Sequence, residues 1–354
     1  MNLLGRVQSP RDVRSLPEEM LPRLCDELRE EIISICGKVG GHLGASLGAV
    51  ELIVALHRTF HAPEDDLVFD VGHQAYAHKL LTGRRERMHT LRQEGGVAPF
   101  LDPRESPLDA FGAGHACTAI SVALGMAEAR AASGAPGRAV AIVGDGALTG
   151  GLSFEALNHA GDQSLPLVVV VNDNGMSISA NVGAVPRLLG SPVRARAFFE
   201  SMGFTYLGLI DGHRLEALLP ALAEARRSRR PVVVHVRTEK GRGLAEAETD
   251  TRTRGHAMGP FELRDGKLVR SRGGHVQPPG RLERLQPERA EGDEATPGAL
   301  GSVQPARTLH RRRRPRESFG DGGQRAPGEA ECGGSSAESA VSRIGCRSSP
   351  TTGA

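Results

Sequence analysis

The chain has 354 residues, enough for one large domain or two ordinary ones. Its 44 Lys and Arg residues and 42 Asp and Glu residues give a net charge of +2, which favours neither nucleic acid nor an anionic membrane as a partner. No apolar run approaches the roughly 20 residues that span a bilayer, and the amino-terminal residues lack the apolar core of a signal peptide. We therefore expect a soluble, cytoplasmic protein that binds no nucleic acid and no membrane.

The amino-terminal part of the chain has the apolar spacing of helices. Residues 1–15 are predicted to be a short lead-in, and apolar residues at helical spacing predict a helix over 21–35. A glycine-rich turn, GGHLGASLG, separates it from a second apolar helix over 49–60. His42 lies in that turn, where backbone N–H groups ahead of a helix can hold phosphate.

A strand and a second glycine-containing turn come next. Residues 66–71 predict a short strand, and Gly72-His73-Gln74 occupies the strand-to-helix junction, where α/β folds bind ligands. Residues 84–113 are polar and loop-rich, which is typical of lids or interface segments. Ala113-Gly114-His115-Ala116 then begins a predicted helix that runs to about residue 131.

Two buried-strand patterns over 139–143 and 167–171 end directly in polar turns. Gly144-Asp145-Gly146 follows the first and Asn172-Asp173-Asn174 follows the second. Either turn alone is ordinary loop chemistry. Their order around a crossover helix, however, predicts that Asp145 and Asn174 project from neighbouring strand ends toward one point. A carboxylate and an amide oxygen aimed together favour Mg²⁺ bound to a phosphate.

The remaining strand and helix patterns continue the alternation. Residues 204–209 and 232–236 predict strands, with a helix over 214–228 between them. Such alternation indicates an α/β fold, a mostly parallel sheet with helices on both faces. We assign this domain to residues 16–269.

The tail, residues 270–354, has a different composition. Only nine of its last 84 residues are Leu, Ile, Val or Phe, so it is predicted to be a low-complexity, disordered segment. The run Arg311–Arg314 is interpreted as a solvated charge run rather than a nucleic-acid arm. We interpret the tail as foreign to the preceding domain, as a shifted reading frame would make it.

The central GDG and NDN turns resemble the thiamine-diphosphate motif of the transketolase superfamily. Three further stretches resemble the first domain of the 1-deoxy-D-xylulose-5-phosphate synthase family: GGHLGASLGAVELIVAL over 40–56, FDVGHQAYAHKLLTG over 69–83 and SFEALNHAG over 153–161. The resemblance extends from about residue 16 to 269 and implies the diphosphate-binding domain of that fold.

The resemblance also implies roles for individual residues. Asp145 and Asn174 would ligate Mg²⁺ through their side chains and Met176 through its backbone carbonyl, with diphosphate oxygens completing the shell. Lone histidines are more often surface or core residues than catalysts, so the catalytic assignment of His42, His115 and His256 depends on the family. The implied thiamine-diphosphate contacts are His73, Gly114, His115, Ala116, Gly146, Ala147, Asn174, Lys240 and Leu244.

The implied activity is thiamine-diphosphate-dependent condensation of pyruvate with D-glyceraldehyde 3-phosphate, with release of CO₂, in a homodimer. In the family a following pyrimidine domain supplies the glutamate that activates the cofactor, and nothing after residue 269 resembles that domain. Two alternatives therefore stay open. The chain is a truncated, non-catalytic cofactor binder, or it is the amino-terminal subunit of a split transketolase-like enzyme whose partner chain carries the pyrimidine domain.

Four features depart from the family pattern. Gly175 stands where the motif usually has Glu, and Cys117 and Thr118 replace paired serines. Leu244 occupies a position where an aromatic residue is common, and the stretch between residues 185 and 204 is short. None of these departures removes a predicted metal ligand.

Overall fold

Five parallel strands form the central layer of the structure, a computed structural model that describes residues 2–264 and 267–270. Across the sheet the order is β1 (Asp66–Phe69), β2 (Ala139–Gly144), β3 (Leu167–Asp173), β5 (Val232–Arg237) and β4 (Thr205–Asp211). Each neighbouring pair is parallel. A separate antiparallel pair consists of β6 (Phe261–Arg264) and β7 (Lys267–Arg270). The predicted parallel α/β sheet is confirmed.

Eleven α-helices occur in the described part of the chain. They are α1 (Pro10–Ser15), α2 (Leu21–Val39), α3 (Leu43–Leu47), α4 (Val50–Thr59), α5 (Tyr76–Lys79), α6 (Ala119–Ser133), α7 (Gly151–Asp162), α8 (Ala184–Leu189), α9 (Pro192–Ser201), α10 (Leu215–Arg227) and α11 (Ala245–Thr249). Short 3₁₀ turns include Arg85–Thr90 and Ala147–Thr149. Among these helices, none is long and apolar enough to cross a membrane.

Helices cover both faces of the sheet. Val168 and Val170 of β3 pack into a core built with α2, α4 and α10. Val169 and Val171 point to the other side, where the core is built with α6, α7 and α9. Because successive strand residues point to opposite faces, burial on both faces requires the continuous valine run that the sequence shows.

The two central strand predictions are confirmed and each strand is longer than predicted. The ladder between β2 and β3 continues to the pair Gly144 and Asn172, and β3 extends to Asp173. The apolar runs therefore located the strands but not their carboxyl ends, because the backbone ladder continues into polar residues.

The helix predicted to begin at Ala113 starts instead at Ala119, so that boundary was wrong. The carboxylate of Asp70 accepts hydrogen bonds from the backbone N–H groups of Cys117 (2.9 Å) and Ala119 (3.1 Å). Cys117 has a φ of 71°, which is outside the helical region. The distant carboxylate thus caps the helix and holds the preceding residues in a turn.

Residues near the amino terminus contribute to the core. Within the predicted lead-in, 1–15, the side chains of Leu4 and Val13 are buried. The predictions for the tail fall after residue 270, outside the described residues, and the proposed domain division stays a prediction.

Candidate cofactor and metal site

A cavity of about 370 Å³ opens at the carboxyl ends of β1, β2 and β3. Parallel strands place the turns that follow them at one edge of the sheet, so segments distant in sequence meet there. The predicted site residues that line the cavity are His42, His73, Ala116, Asp145, Gly146, Ala147, Asn174, Met176 and His256.

Asp145 has an unused acceptor inside this cavity. The residue is only 2% exposed, and its Oδ1 has no hydrogen-bond partner among the described residues. Its Oδ2 accepts hydrogen bonds from the backbone N–H of Gly175 (2.8 Å) and from Nδ2 of Asn181 (2.8 Å). A buried carboxylate oxygen without a partner is costly, and a bound cation would satisfy it.

Asn174 lies on the neighbouring strand end. Its Oδ1 accepts the N–H of Met176 at 3.0 Å, which folds the turn after β3 so that Met176 also lines the cavity. The described residues contain no cluster of three or more His, Cys, Asp or Glu suited to a metal. A cation here would therefore depend on one carboxylate, amide and carbonyl oxygens and the oxygens of its ligand, a donor set that fits Mg²⁺.

The charge balance around Asp145 supports a cation site. Burial raises the pKa of Asp145, and the nearby carboxylate of Asp173 raises it further. Burial also opposes ionisation of Asp173, but hydrogen bonding to His235 and the charge of Arg237 lower its pKa overall. The two adjacent carboxylates repel each other, and a divalent cation would relieve that repulsion.

Three histidines of the cavity lining form a cluster, here termed the histidine wall. The ring centroids of His42, His73 and His256 lie 5.4 to 5.8 Å apart. Burial is the main cause that lowers their pKa values, to about 4, 3 and 4 respectively. At neutral pH the three imidazoles are therefore uncharged. The Nδ1 atom of each is buried without a hydrogen-bond partner among the described residues.

Lys240 lies beside the cavity rather than in its lining. Its ammonium is buried and donates a hydrogen bond to the carbonyl of Ser177. Burial lowers the pKa of Lys240 to about 8, although the carboxylate of Asp145 favours its charged form. The neighbouring Gly241 donates its N–H to the carbonyl of Gly44 at 2.8 Å, which ties this loop to the turn that carries His42.

Three other predicted residues also lie outside the lining. His115 is exposed and Gly114 is half-buried, whereas Leu244 is buried in the core shared by α2, α4 and α10. Their assigned roles stay predictions.

Comparison with known proteins identifies the family. The family profile described as 1-deoxy-D-xylulose-5-phosphate synthase matches residues 4–198 and 191–238. The chain belongs to the 1-deoxy-D-xylulose-5-phosphate synthase family. It is 72% identical over 272 residues to the 1-deoxy-D-xylulose-5-phosphate synthase of Myxococcus xanthus, covering 77% of this chain and 46% of that protein. The synthase of Anaeromyxobacter sp. (strain Fw109-5) is 49% identical over 308 residues, 76% of this chain and 48% of that protein.

Solved transketolases share the fold of this synthase-family chain. Transketolase from Campylobacter jejuni superposes with a TM-score of 0.57 at 25% identity, covering 69% of this chain and 41% of that one. Transketolase from Leishmania mexicana superposes with a TM-score of 0.56 at 23% identity, covering 64% of this chain and 38% of that one. The chain spans about half the length of the curated relatives it matches.

The departures from the family pattern have local explanations. Gly175 has a φ of 75°, a conformation that glycine adopts without steric cost, and it is the residue whose N–H reaches Asp145. Cys117 lines the cavity, and burial raises the pKa of its thiol, which disfavours the reactive thiolate. Thr118 uses its retained hydroxyl to donate a hydrogen bond to the carbonyl of His115 at 3.2 Å.

Sequence reasoning missed four residues that support the site: Asp70, which holds the turn at Cys117, Asn181, which contacts Asp145, and the pair Asp173 and His235 behind the metal ligands. Asp173 was visible within the NDN turn. The other three stand at unremarkable positions, and only the folded chain brings them to the site.

Proposed function

We propose that this chain binds thiamine diphosphate through Mg²⁺ and forms the diphosphate half of a 1-deoxy-D-xylulose-5-phosphate synthase site. The observation that carries the proposal is the buried, unpartnered Oδ1 of Asp145, which shares one cavity with Asn174 and Met176. Family membership supports the choice of cofactor, and the donor set supports the choice of metal.

The proposed binding mode divides the cavity into two walls. Asp145, Asn174 and the carbonyl of Met176 hold the cation, and backbone N–H groups near Gly146 and Ala116 face the diphosphate. When bound, thiamine diphosphate supplies an electron-rich carbon that adds to a carbonyl group. The chain fixes the cofactor through charge at one end and encloses its other end against the histidine wall.

The histidine wall suits an uncharged role. Because burial keeps His42, His73 and His256 neutral, each can donate or accept a hydrogen bond at Nδ1, according to its tautomer, without carrying a positive charge. We propose that His42 and His256, with His115, act on the substrate side and that His73 contacts the cofactor. Lys240, whose pKa burial lowers to about 8, places an ammonium near the diphosphate.

For the whole reaction we propose condensation of pyruvate with D-glyceraldehyde 3-phosphate and loss of CO₂. The activating glutamate of the pyrimidine domain would come from outside the residues that resemble the family here, either from a complementing chain or within a homodimeric assembly. A second candidate is cofactor binding without catalysis, which applies if no pyrimidine domain completes the site.

Replacement of Asp145 by Ala tests the metal assignment. We expect the variant to lose Mg²⁺-dependent binding of thiamine diphosphate in isothermal titration calorimetry, while far-UV circular dichroism stays nearly unchanged. Asp162→Ala, at an exposed position at the end of α7, is the matched control and should bind as the unaltered chain does. Retained binding in Asp145→Ala would refute the metal site.

A turnover assay separates the enzyme from the non-catalytic fragment. Purified chain with thiamine diphosphate and Mg²⁺ should not decarboxylate pyruvate alone, but should do so when a separately produced pyrimidine domain of a related synthase is added. Activity without any addition would show that the missing glutamate is not essential. Inactivity with the added domain would favour the non-catalytic alternative.

A further inference from the structure

A line of buried hydrogen bonds runs behind the candidate metal site, across three neighbouring strands. The hydroxyl of Tyr206 on β4 lies 2.8 Å from Nδ1 of His235 on β5, and Nε2 of His235 lies 3.1 Å from Oδ2 of Asp173 on β3. His235 is 0% exposed, and the other two side chains are also buried. None of the roles proposed above uses His235 or Tyr206.

The chemistry of the three groups determines which atom donates and which accepts in each hydrogen bond of this line. An ionised carboxylate only accepts hydrogen bonds, so Nε2 of His235 donates to Asp173. In the tautomer that carries its hydrogen at Nε2, Nδ1 accepts and the Tyr206 hydroxyl donates to it. The tyrosine thereby selects the tautomer that faces the carboxylate. The ring of Phe199 stacks on Tyr206 at a centroid distance of 6.0 Å and fixes the phenol plane.

The other oxygen of Asp173 connects the line to the metal ligands. Its Oδ1 accepts the N–H of Gly175 at 3.2 Å, and the same N–H donates to Oδ2 of Asp145 at 2.8 Å. Gly175 stands between Asn174 and Met176, two of the proposed ligands. The Asp173 carboxylate is therefore one of the groups that hold the turn that presents both ligands.

Besides His235, two side chains contact the Asp173 carboxylate: Asp145, which is itself a proposed metal ligand, and Arg237. Arg237 also contacts Oδ2 of Asp173, at 3.1 Å, but its side chain is 46% exposed. An exposed guanidinium is screened by water and free to move, so it holds the carboxylate weakly. A buried imidazole between two fixed partners holds it in one orientation.

We propose that His235 is a positioning residue for the Mg²⁺ site: through Asp173 it orients the turn that carries Asn174 and Met176 and aligns Asp145 with them. This inference rests on the proposed function. Partners that orient metal ligands without touching the metal contribute about 10- to 100-fold in metal affinity in other proteins, and we expect an effect in that range.

Two amide variants separate the contacts of His235. In His235→Gln the amide nitrogen can occupy the place of Nε2 and still donate to Asp173. In His235→Asn the shorter side chain places its amide near Nδ1, within reach of Tyr206 but not of Asp173. The two variants have similar polarity, so a merely structural role of His235 would affect them alike.

The experiment titrates Mg²⁺ into the full chain at saturating thiamine diphosphate and measures the heat of binding by calorimetry. We expect His235→Asn to weaken the apparent Mg²⁺ affinity by about tenfold or more, and His235→Gln to stay within about threefold of the unaltered chain. Thermal unfolding without Mg²⁺ and cofactor should be similar for the two variants. His159→Gln, on the exposed face of α7, is the control and should change nothing.

Equal losses in both amide variants, or Mg²⁺ affinity within twofold of the unaltered chain in His235→Asn, would overturn the inference. If either variant fails to fold, Tyr206→Phe provides the second measurement. Tyr206→Phe should weaken Mg²⁺ binding by a smaller factor than His235→Asn does. Unchanged Mg²⁺ affinity in Tyr206→Phe would also contradict the proposed positioning role of His235. Absence of Mg²⁺-dependent binding in the unaltered chain would refute the proposed function and the inference together, whereas normal binding with no loss in the variants refutes the inference alone.

Discussion

The carboxylate of Asp109 is the group whose loss we expect to destabilise the fold most. It accepts two hydrogen bonds from the guanidinium of Arg84, at 2.6 and 2.7 Å, and lies 3.0 Å from Nε2 of His78. It also accepts the backbone N–H of Asp102 at 2.9 Å. Arg84 is 3% exposed, and its other acidic partner, Glu105, lies 3.4 Å away and also pairs with Lys79. Asp109→Asn would therefore remove the nearer counter-charge of a buried guanidinium.

The magnitude of the destabilisation follows from the loss of that counter-charge. Removing one partner of a buried ion pair costs about 3–5 kcal/mol, a large part of the roughly 5–15 kcal/mol by which domains are stable. Each kcal/mol lowers the melting temperature by about 2–4 °C in domains of this size, so we expect a decrease of about 10 °C. Replacing both partners, as in Arg84→Met with Asp109→Leu, should cost much less because both charges of this pair are removed together and the neighbouring Lys79 and Glu105 still pair with each other.

Urea denaturation followed by circular dichroism measures this effect. Glu200→Gln, in an exposed pair with Arg196, is the matched control and should change the unfolding free energy by less than about 0.5 kcal/mol. A loss below about 1 kcal/mol in Asp109→Asn would refute the reasoning. Burial alone would raise the pKa of Asp109, but hydrogen bonds from His78 and Arg84 hold it well below its usual range. The stabilisation is therefore present above the ordinary aspartate pKa and is lost as pH falls below it. At such low pH the unfolding free energies of the unaltered chain and of Asp109→Asn should converge.

Two further predictions concern a close helix contact and the histidine wall. A Cβ at Gly161 would collide with the carbonyl oxygen of Met202, so Gly161→Ala should destabilise the chain by about 1–3 kcal/mol. Gly125 lies in the middle of α6 with open space around it, so Gly125→Ala should stabilise the chain by up to about 1 kcal/mol. Equal changes of the unfolding free energy in urea denaturation would contradict this prediction. Burial is the main cause that lowers the pKa of His73 from 6.5 to about 3, and repulsion from Lys240, and from His42 and His256 when these are protonated, contributes. The unfolded chain then binds a proton that the folded chain does not, so stability falls as pH decreases from 6.5 toward 3. In nuclear magnetic resonance titration His73 should remain unprotonated at pH 5, and protonation near 6.5 would refute its burial.

Periodicity and local turn chemistry were sufficient to predict the sheet and to place Asp145 and Asn174 in one cavity at its edge, whereas their role as metal ligands stays a prediction. The runs at 139–143 and 167–171 are continuous because both faces of β2 and β3 are buried, and such runs are distinctive in a sequence. Asp145 and Asn174 could be identified because each directly follows its strand. The predicted convergence needed only the rule that parallel strands end at the same edge.

Residues that act across the fold could not be predicted in this way. The start of α6 depends on Asp70, 49 positions before Ala119 in sequence. His235 is separated by 62 positions from Asp173, and in sequence it is simply a polar residue inside a valine-rich strand. The histidine cluster was predicted residue by residue from resemblance, but its neutral state follows from burial, which is a property of the packed chain.

The pairing of β2 with β3 has a consequence for chain connectivity. Asp145 and Asn174 are held in register by the backbone ladder that includes the pair Gly144 and Asn172, not by the helix that joins the strands. The exposed loop around Ser164 lies at the amino end of β3, on the opposite edge of the sheet from both ligands. If the chain were cut there, β2 and β3 would belong to two separate polypeptides. The backbone ladder between the two strands would still hold Asp145 and Asn174 side by side.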